Sequence, residues 1–234
     1  MTTNLYLIRH GESVPNVEPI IGGMRGDAGL TARGREQAAL LEARLRAEGL
    51  RADRLYASTL PRARETAEYV ARALGLPAVP DDELHELRPG EADGLTVDEW
   101  RARYGGFDGP MAEIDPFRPF APGGESWATF LSRAGAALAR LVARHPGETI
   151  VAVCHGGVLE ASFYLACGLG PTGNPVFFAP LNTSITHWRH RPAGGRGAWT
   201  LVTFNDAAHL RVAGVPAASP EAVPTPVEEA GKAE

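Results

Sequence analysis

The sequence predicts a three-layer α/β/α domain with a mostly parallel central sheet. Two observations predict it, and a third marks where its chemistry would sit. Strand-like and helix-like segments alternate along most of the chain, the pattern of an α/β fold. The run TIVAV at 149–153 is almost continuously β-branched and apolar, as expected of a strand covered on both faces. Two separate apolar runs end on the same pair, His10-Gly11 and His155-Gly156.

The elements follow in order. Leu5–Ile8 is a strand candidate. Thr31 caps a helix that runs to Glu48, and Gly49 supplies the stop signal. Asp53–Ala57 reads as a second strand. Pro61 opens a helix with an apolar stripe of Ala63, Ala67, Val70, Ala71 and Leu74, ended by Gly75-Leu76-Pro77. Pro77–Pro80 is a short strand and Thr96–Tyr104 a brief helix. Trp127, Phe130, Leu131, Ala134, Leu138, Leu141 and Val142 mark a long amphipathic helix closed by Pro146-Gly147. A strand through TIVAVC is followed by a helix from Val158. SITHWRH and AWTLVTF form a late hairpin across a glycine-rich loop. Residues 1–213 therefore read as one domain. Residues 214–234, rich in Pro, Ala and Glu with no aromatic residue, read as a disordered tail.

Composition narrows the function classes. The 234 residues are 44% hydrophobic, enough for a substantial core, and carry a net charge of −5, which argues against a nucleic-acid binder. No apolar run approaches the ~18 residues of a membrane span, and the N-terminal apolar run is too short for a signal peptide. Cys154 and Cys167 lie in apolar contexts and read as reduced, buried residues of a cytoplasmic protein. Lys232 is the one lysine among 23 basic residues. Any cationic work in the folded part falls to arginine, whose planar fork suits phosphate-like oxyanions.

In open α/β sheets, ligands bind beyond the carboxyl ends of the strands. Two histidines placed there, His10 preceded by Arg9, can meet over one crevice. The segment YASTLPRARETA, 56–67, adds a strand end, a helix N-terminus that attracts anions, and Arg62 in the first helical turn.

Ordered blocks then resemble the histidine phosphatase superfamily, the phosphoglycerate-mutase-like family. LIRHGES with Asn16 resembles its RHGETxxN motif, DAGLTARGREQA at 27–38 the helix entry that follows, and STLPRARETA its SxLxRAxxTA block. HELRPGEADGLT is similar to the acid-bearing segment. PGGES at 122–126, VCHGGV and LNTSIT at 181–186 match later blocks. The resemblance implies the phosphoglycerate-mutase-like fold and phosphoryl transfer to His10.

Neutral imidazole is a good nucleophile near pH 7. Its attacking nitrogen must be bare, so the other must donate its proton to an acceptor such as a backbone carbonyl. By the resemblance, Arg9 and Arg62 hold the phosphate, His155 donates to it, and Asn16 adds a polar contact. The two arginines also disfavour protonation of His10. Sequence physics leaves Asp82, Glu83, Glu86, Glu91 and Asp93 open as the proton donor; the family pattern selects Glu86.

The expected activity is a metal-independent phosphatase acting on small phosphate monoesters, with no cofactor and no nucleic-acid or membrane partner. No HxH or HExxH spacing suggests a metal site. Phosphoglycerate mutase is the alternative, weakened because Gly94-Leu95-Thr96 lacks the lysine of the mutase-like GLNK. A binding protein that keeps the fold without catalysis is the alternative of another class. The aromatic segment Trp100–Trp127 reads either as an apolar lid or as a satellite core.

Overall fold

The computed structural model describes residues 1–105, 115–171, 178–192 and 197–217. It contains a six-stranded sheet in the order β3-β2-β4-β1-β5-β6. These strands are β1 (Thr3–Arg9), β2 (Arg54–Ala57), β3 (Ala78–Pro80), β4 (Thr149–Cys154), β5 (Ile185–Arg191) and β6 (Ala198–Asp206). The β1–β4, β4–β2 and β2–β3 pairs are parallel. Strand β5 returns antiparallel to β1, and β6 extends that antiparallel edge.

Helices cover both faces. They are α1 (Val14–Val17), α2 (Ala32–Glu48), α3 (Pro61–Leu74), α4 (Val97–Tyr104), α5 (Trp127–Arg144), α6 (Gly156–Cys167) and α7 (Ala208–Ala213). Strand periodicity sorts the core between them. Leu5, Leu7, Ile150, Ala152 and Cys154 pack toward α5 and α6 with Phe130, Leu138 and Leu159. Ile8, Val151 and Val153 point the other way, toward Leu41, Leu45, Ala63 and Val70 of α2 and α3. The near-continuous apolar run of β4 is thus explained: it lies at the centre of the sheet and is buried on both sides.

Helix ends follow their local signals. Thr31 caps α2 by accepting the Gly34 N–H, and Gly49 ends it in the left-handed region at φ 63°. Gly75 ends α3 the same way. Helix α6 starts at Gly156, two residues before the predicted Val158, because His155 already serves as its N-cap. The sequence reading missed α1 and α7, each under two turns long and carrying too little periodic pattern to register.

Two composition-level expectations change. Cys154 is buried, but Cys167 is exposed because it closes α6 on the solvent side; both thiols are free. The first residues past 213 lie against the body: Pro216 O accepts from Gln37 Nε2 and Ala217 O from the Asn182 N–H. Residues 218–234 lie outside the described residues. The Trp100 segment divides similarly. Trp100 stacks on Phe120 at 4.4 Å and joins Ala92, Val97 and Ala121 in a satellite core; Phe117 is exposed. Phe107 and Met111 lie outside the described residues. No described helix is long and apolar enough to cross a membrane.

Two histidines away from the crevice carry a pH liability. His187 stacks on Tyr6 at 4.0 Å, and His209 bonds Thr183 Oγ1 at 3.0 Å. Burial, aided by Arg189 and Arg44 respectively, pushes both down to about 4. The unfolded chain binds these protons from pH ~6.5 downward, whereas the folded chain refuses them until about pH 4. Stability is therefore highest above pH ~6.5 and falls through that window. Urea midpoints measured between pH 7.5 and 4.5 should decline, and a His187→Gln, His209→Gln double variant should flatten the decline. Equal slopes in variant and wild type would contradict this assignment.

Candidate active site

Three parallel neighbours, β1, β4 and β2, end side by side. Arg9 pairs with Cys154, and Ala57 with Val153. The next residue on each strand is His10, His155 or Ser58, so sheet register alone brings these three to one edge. Helices α3 and α6 start from the same edge, with their N-termini toward it.

His10 is almost fully buried. Its Nδ1 lies 2.7 Å from the Gly11 carbonyl, which makes Nδ1 the protonated nitrogen. Arg62 Nε donates to His10 Nε2 at 3.2 Å, so Nε2 presents a lone pair. This is the arrangement a nucleophilic imidazole requires, and the acceptor is the backbone carbonyl expected from sequence. Asn182 Nδ2 donates to His10 O at 3.1 Å and braces the turn. The imidazoles of His10 and His155 are 5.1 Å apart between centroids. His155 Nε2 lies 2.8 Å from Ser58 Oγ.

The guanidinium groups flank these rings. Arg9 is 9% exposed, and its Nη1 donates to Pro180 O at 2.5 Å. Arg62 Nη1 donates to Gly22 O at 2.9 Å and to Asp27 Oδ2 at 2.9 Å. Asp27 also accepts the Arg62 backbone N–H at 3.2 Å and the Gly29 N–H at 2.8 Å. Its carboxylate is fully buried, so this ion pair is sealed from solvent.

Both imidazoles are held well below the usual histidine range. For His10 burial is the largest cause, then Arg62 and Arg9, with the Gly11 carbonyl opposing. For His155 burial again leads, followed by Arg62, His10, His85 and Arg9. The sequence reading credited the arginines; desolvation outweighs them, because both rings are almost fully buried. The result is two neutral imidazoles between two cations, a cradle suited to an anion that brings its own charge.

The five candidate acids separate by place. Asp82 and Glu83 occupy a rim turn; Asp82 is largely exposed and bonded to Thr59 Oγ1, while Glu83 pairs with Arg88. Glu91 accepts from the Tyr104 hydroxyl. Asp93 clamps the Arg25 and Gly26 N–H groups. Glu86 alone of the five meets the strand-end crevice: its Oε2 accepts the Gly157 N–H at 3.0 Å, and Oε1 the Leu87 N–H at 3.1 Å. Gly157 permits this approach. A Cβ there would overlap Glu86 Oε1 and lie 2.8 Å from the Phe130 ring.

Residues 5–207 match the histidine phosphatase superfamily (branch 1). The chain belongs to this superfamily. It is 33% identical over 190 residues to a 2,3-bisphosphoglycerate-dependent phosphoglycerate mutase of Brucella anthropi, covering 79% of this chain and 90% of that one. Among solved structures it resembles Bacillus stearothermophilus YhfR, with a TM-score of 0.70 and 33% identity over 89% of this chain and 99% of that one. It also resembles an Entamoeba histolytica phosphoserine phosphatase mutant in complex with phosphoserine. That match has a TM-score of 0.69 and 26% identity, covering 89% of this chain and 99% of that one. The superfamily and these relatives establish a phosphoryl-transfer enzyme fold.

Within this member of the superfamily, five sequence-derived residues gather at one edge: Arg9, His10, Arg62, Glu86 and His155. Asn16 lies on the segment that follows His10, beside Asn182. Its Oδ1 accepts from Ser13 N at 3.1 Å and lies 3.5 Å from Asn182 Nδ2, so it shapes the loop after β1. Sequence reasoning gave no role to Asp27, Ser58 or Asn182, although each lies inside a quoted motif block. Their residue types are common in loops, and only the fold shows which arginine or imidazole they meet. Thr183 is a fourth: at φ 55° it holds a strained backbone while its N–H reaches Arg9 O at 3.0 Å.

Removing Asp27 leaves the Arg62 charge buried and uncompensated. Asp27→Ala should lower stability by about 3–5 kcal/mol in urea unfolding, and a loss under 1 kcal/mol would contradict the pairing. Gly157→Ala should cost about 1–3 kcal/mol through overpacking against Glu86 and Phe130; an unchanged urea midpoint would show that the crowding is absorbed elsewhere.

Proposed function

We propose that this enzyme is a phosphatase that hydrolyses small-molecule phosphate monoesters through a phosphohistidine at His10. One observation carries the reading. The His10 lone pair on Nε2 is already engaged by the Arg62 N–H, while Nδ1 is tied to Gly11 O. A phosphoryl group entering between them meets a bare nucleophile and a forked donor together.

The chemistry follows in two steps. His10 Nε2 forms a bond to phosphorus as the ester P–O bond breaks. Arg9, Arg62 and His155 donate to the phosphoryl oxygens and hold phosphorus in line. Glu86 gives a proton to the leaving alkoxide; a bound phosphate dianion disfavours a second negative charge beside it. Glu86 then takes a proton from water, the water oxygen bonds to phosphorus, and the P–N bond breaks. Phosphate leaves and His10 returns neutral. The arginines supply the positive charge that other phosphatases take from a metal ion.

Identity to the Brucella mutase favours a second reading, in which the phosphoryl group is kept and returned to a second hydroxyl. The chain's one lysine is Lys232, outside the matched residues 5–207, so the site relies on arginine for its positive charge. Likeness to a phosphoserine phosphatase supports hydrolysis.

A panel of esters, including phosphoserine, 3-phosphoglycerate and sugar phosphates, compared by kcat/KM, tests the reading. Phosphate release should persist in chelator and fall at least 1000-fold in His10→Ala; net interconversion of phosphoglycerates in the presence of bisphosphoglycerate should be minor. Removal of one donor, as in His155→Ala, should cost about 100- to 1000-fold in kcat. Chelator-sensitive turnover, or mutase flux exceeding hydrolysis, would replace this reading.

A further inference from the structure

The structure accounts for one nitrogen of His155 and leaves the other unexplained. Nε2 meets Ser58 Oγ at 2.8 Å, whereas Nδ1 is buried with no hydrogen-bond partner. His155 and Ser58 are both fully buried. An unsatisfied buried polar atom is destabilising and calls for a reason.

The serine decides which nitrogen holds the ring proton. A hydroxyl has one proton and two lone pairs. The Leu60 N–H lies 3.4 Å from Ser58 Oγ and approaches as a donor. Among the described residues, no carbonyl or carboxylate accepts the Ser58 proton. Its remaining neighbour is His155 Nε2. If the hydroxyl donates there, Nε2 must be bare, and a neutral ring then carries its proton on Nδ1. The ring is neutral because burial and the nearby Arg62 and Arg9 oppose a second proton. The opposite tautomer would leave the Ser58 proton without an acceptor and Nδ1 without a proton to donate.

We propose that Ser58 is a positioning residue: its hydroxyl donates to His155 Nε2 and fixes the tautomer in which Nδ1–H is free to bond a phosphoryl oxygen. The inference rests on the phosphoryl-transfer reading above, and it adds how the second histidine is made a donor. The orphaned Nδ1 is then a site awaiting its acceptor. The sheet holds the pair in place, since Ser58 and His155 each follow the last residue of neighbouring parallel strands, and the Ser58 N–H donates to Val153 O at 3.0 Å.

Two-bond ¹H–¹⁵N spectra of the histidine rings in the resting enzyme read the tautomer without substrate. In wild type, His155 Nδ1 should resonate as a protonated nitrogen and Nε2 as a bare one. In Ser58→Ala that pattern should be lost, kcat on phosphate esters should fall roughly 10- to 100-fold, and KM should change little. Ser58→Thr, which keeps the hydroxyl, should restore both. The His10 pattern should stay constant throughout. A wild-type His155 protonated on Nε2 would overturn the inference by itself, whether or not the variants fold. So would a Ser58→Ala enzyme with unchanged kcat. Failure of the underlying reading looks different: His10→Ala would keep its turnover while the His155 spectrum stayed as described.

Discussion

A bare imidazole nitrogen buried against a guanidinium group is the interaction on which this structure depends. His10 Nε2 and Arg62 Nε are 3.2 Å apart, and both residues are almost fully buried. Burying a guanidinium requires a countercharge, and Asp27 supplies it from the segment between α1 and α2. The turn after His10 packs closely on the start of α2. Gly11 and Gly34 make this possible: a Cβ on Gly11 would lie 2.6 Å from Gly34 O. Loop packing, ion pair and the His10 imidazole therefore form one connected arrangement.

The sheet places these groups and the helices bias the edge toward anions. Three adjacent parallel strands deliver His10, Ser58 and His155 to neighbouring positions without any long side chain reaching across. Helix α6 adds its N-terminal N–H groups, one of which already holds Glu86. Helix α3 adds Arg62 in its first turn. The positive field at this edge is local, since the chain as a whole is acidic.

The elements that were legible in the sequence are those with local causes. Thr31 and Gly49 mark both ends of α2 because capping and left-handed termination are properties of those residues. Strand β4 was legible because a strand buried on both faces must be apolar throughout. The two histidines of the strand-end crevice were legible as His-Gly pairs, sharpened by the family resemblance. What stayed hidden depends on tertiary placement. Asp27 has an unremarkable loop sequence until Arg62 folds beside it. Ser58 reads as part of a strand-to-helix turn, and only parallel pairing of β2 with β4 sets it against His155. Cys167 sits among apolar neighbours in sequence, yet the end of α6 turns it outward. Choosing Glu86 among five acids required family knowledge, because its distinguishing partner, the Gly157 N–H, lies 71 residues away.

The central claim is that His10 Nε2 becomes covalently loaded. Rapid-quench mass spectrometry during turnover of a phosphate ester tests it most directly. The account predicts a phosphoryl group on the peptide containing His10, stable in base, lost in acid and absent from His10→Ala. Turnover with no adduct on that peptide, or an adduct on another residue that survives the His10 substitution, would contradict it.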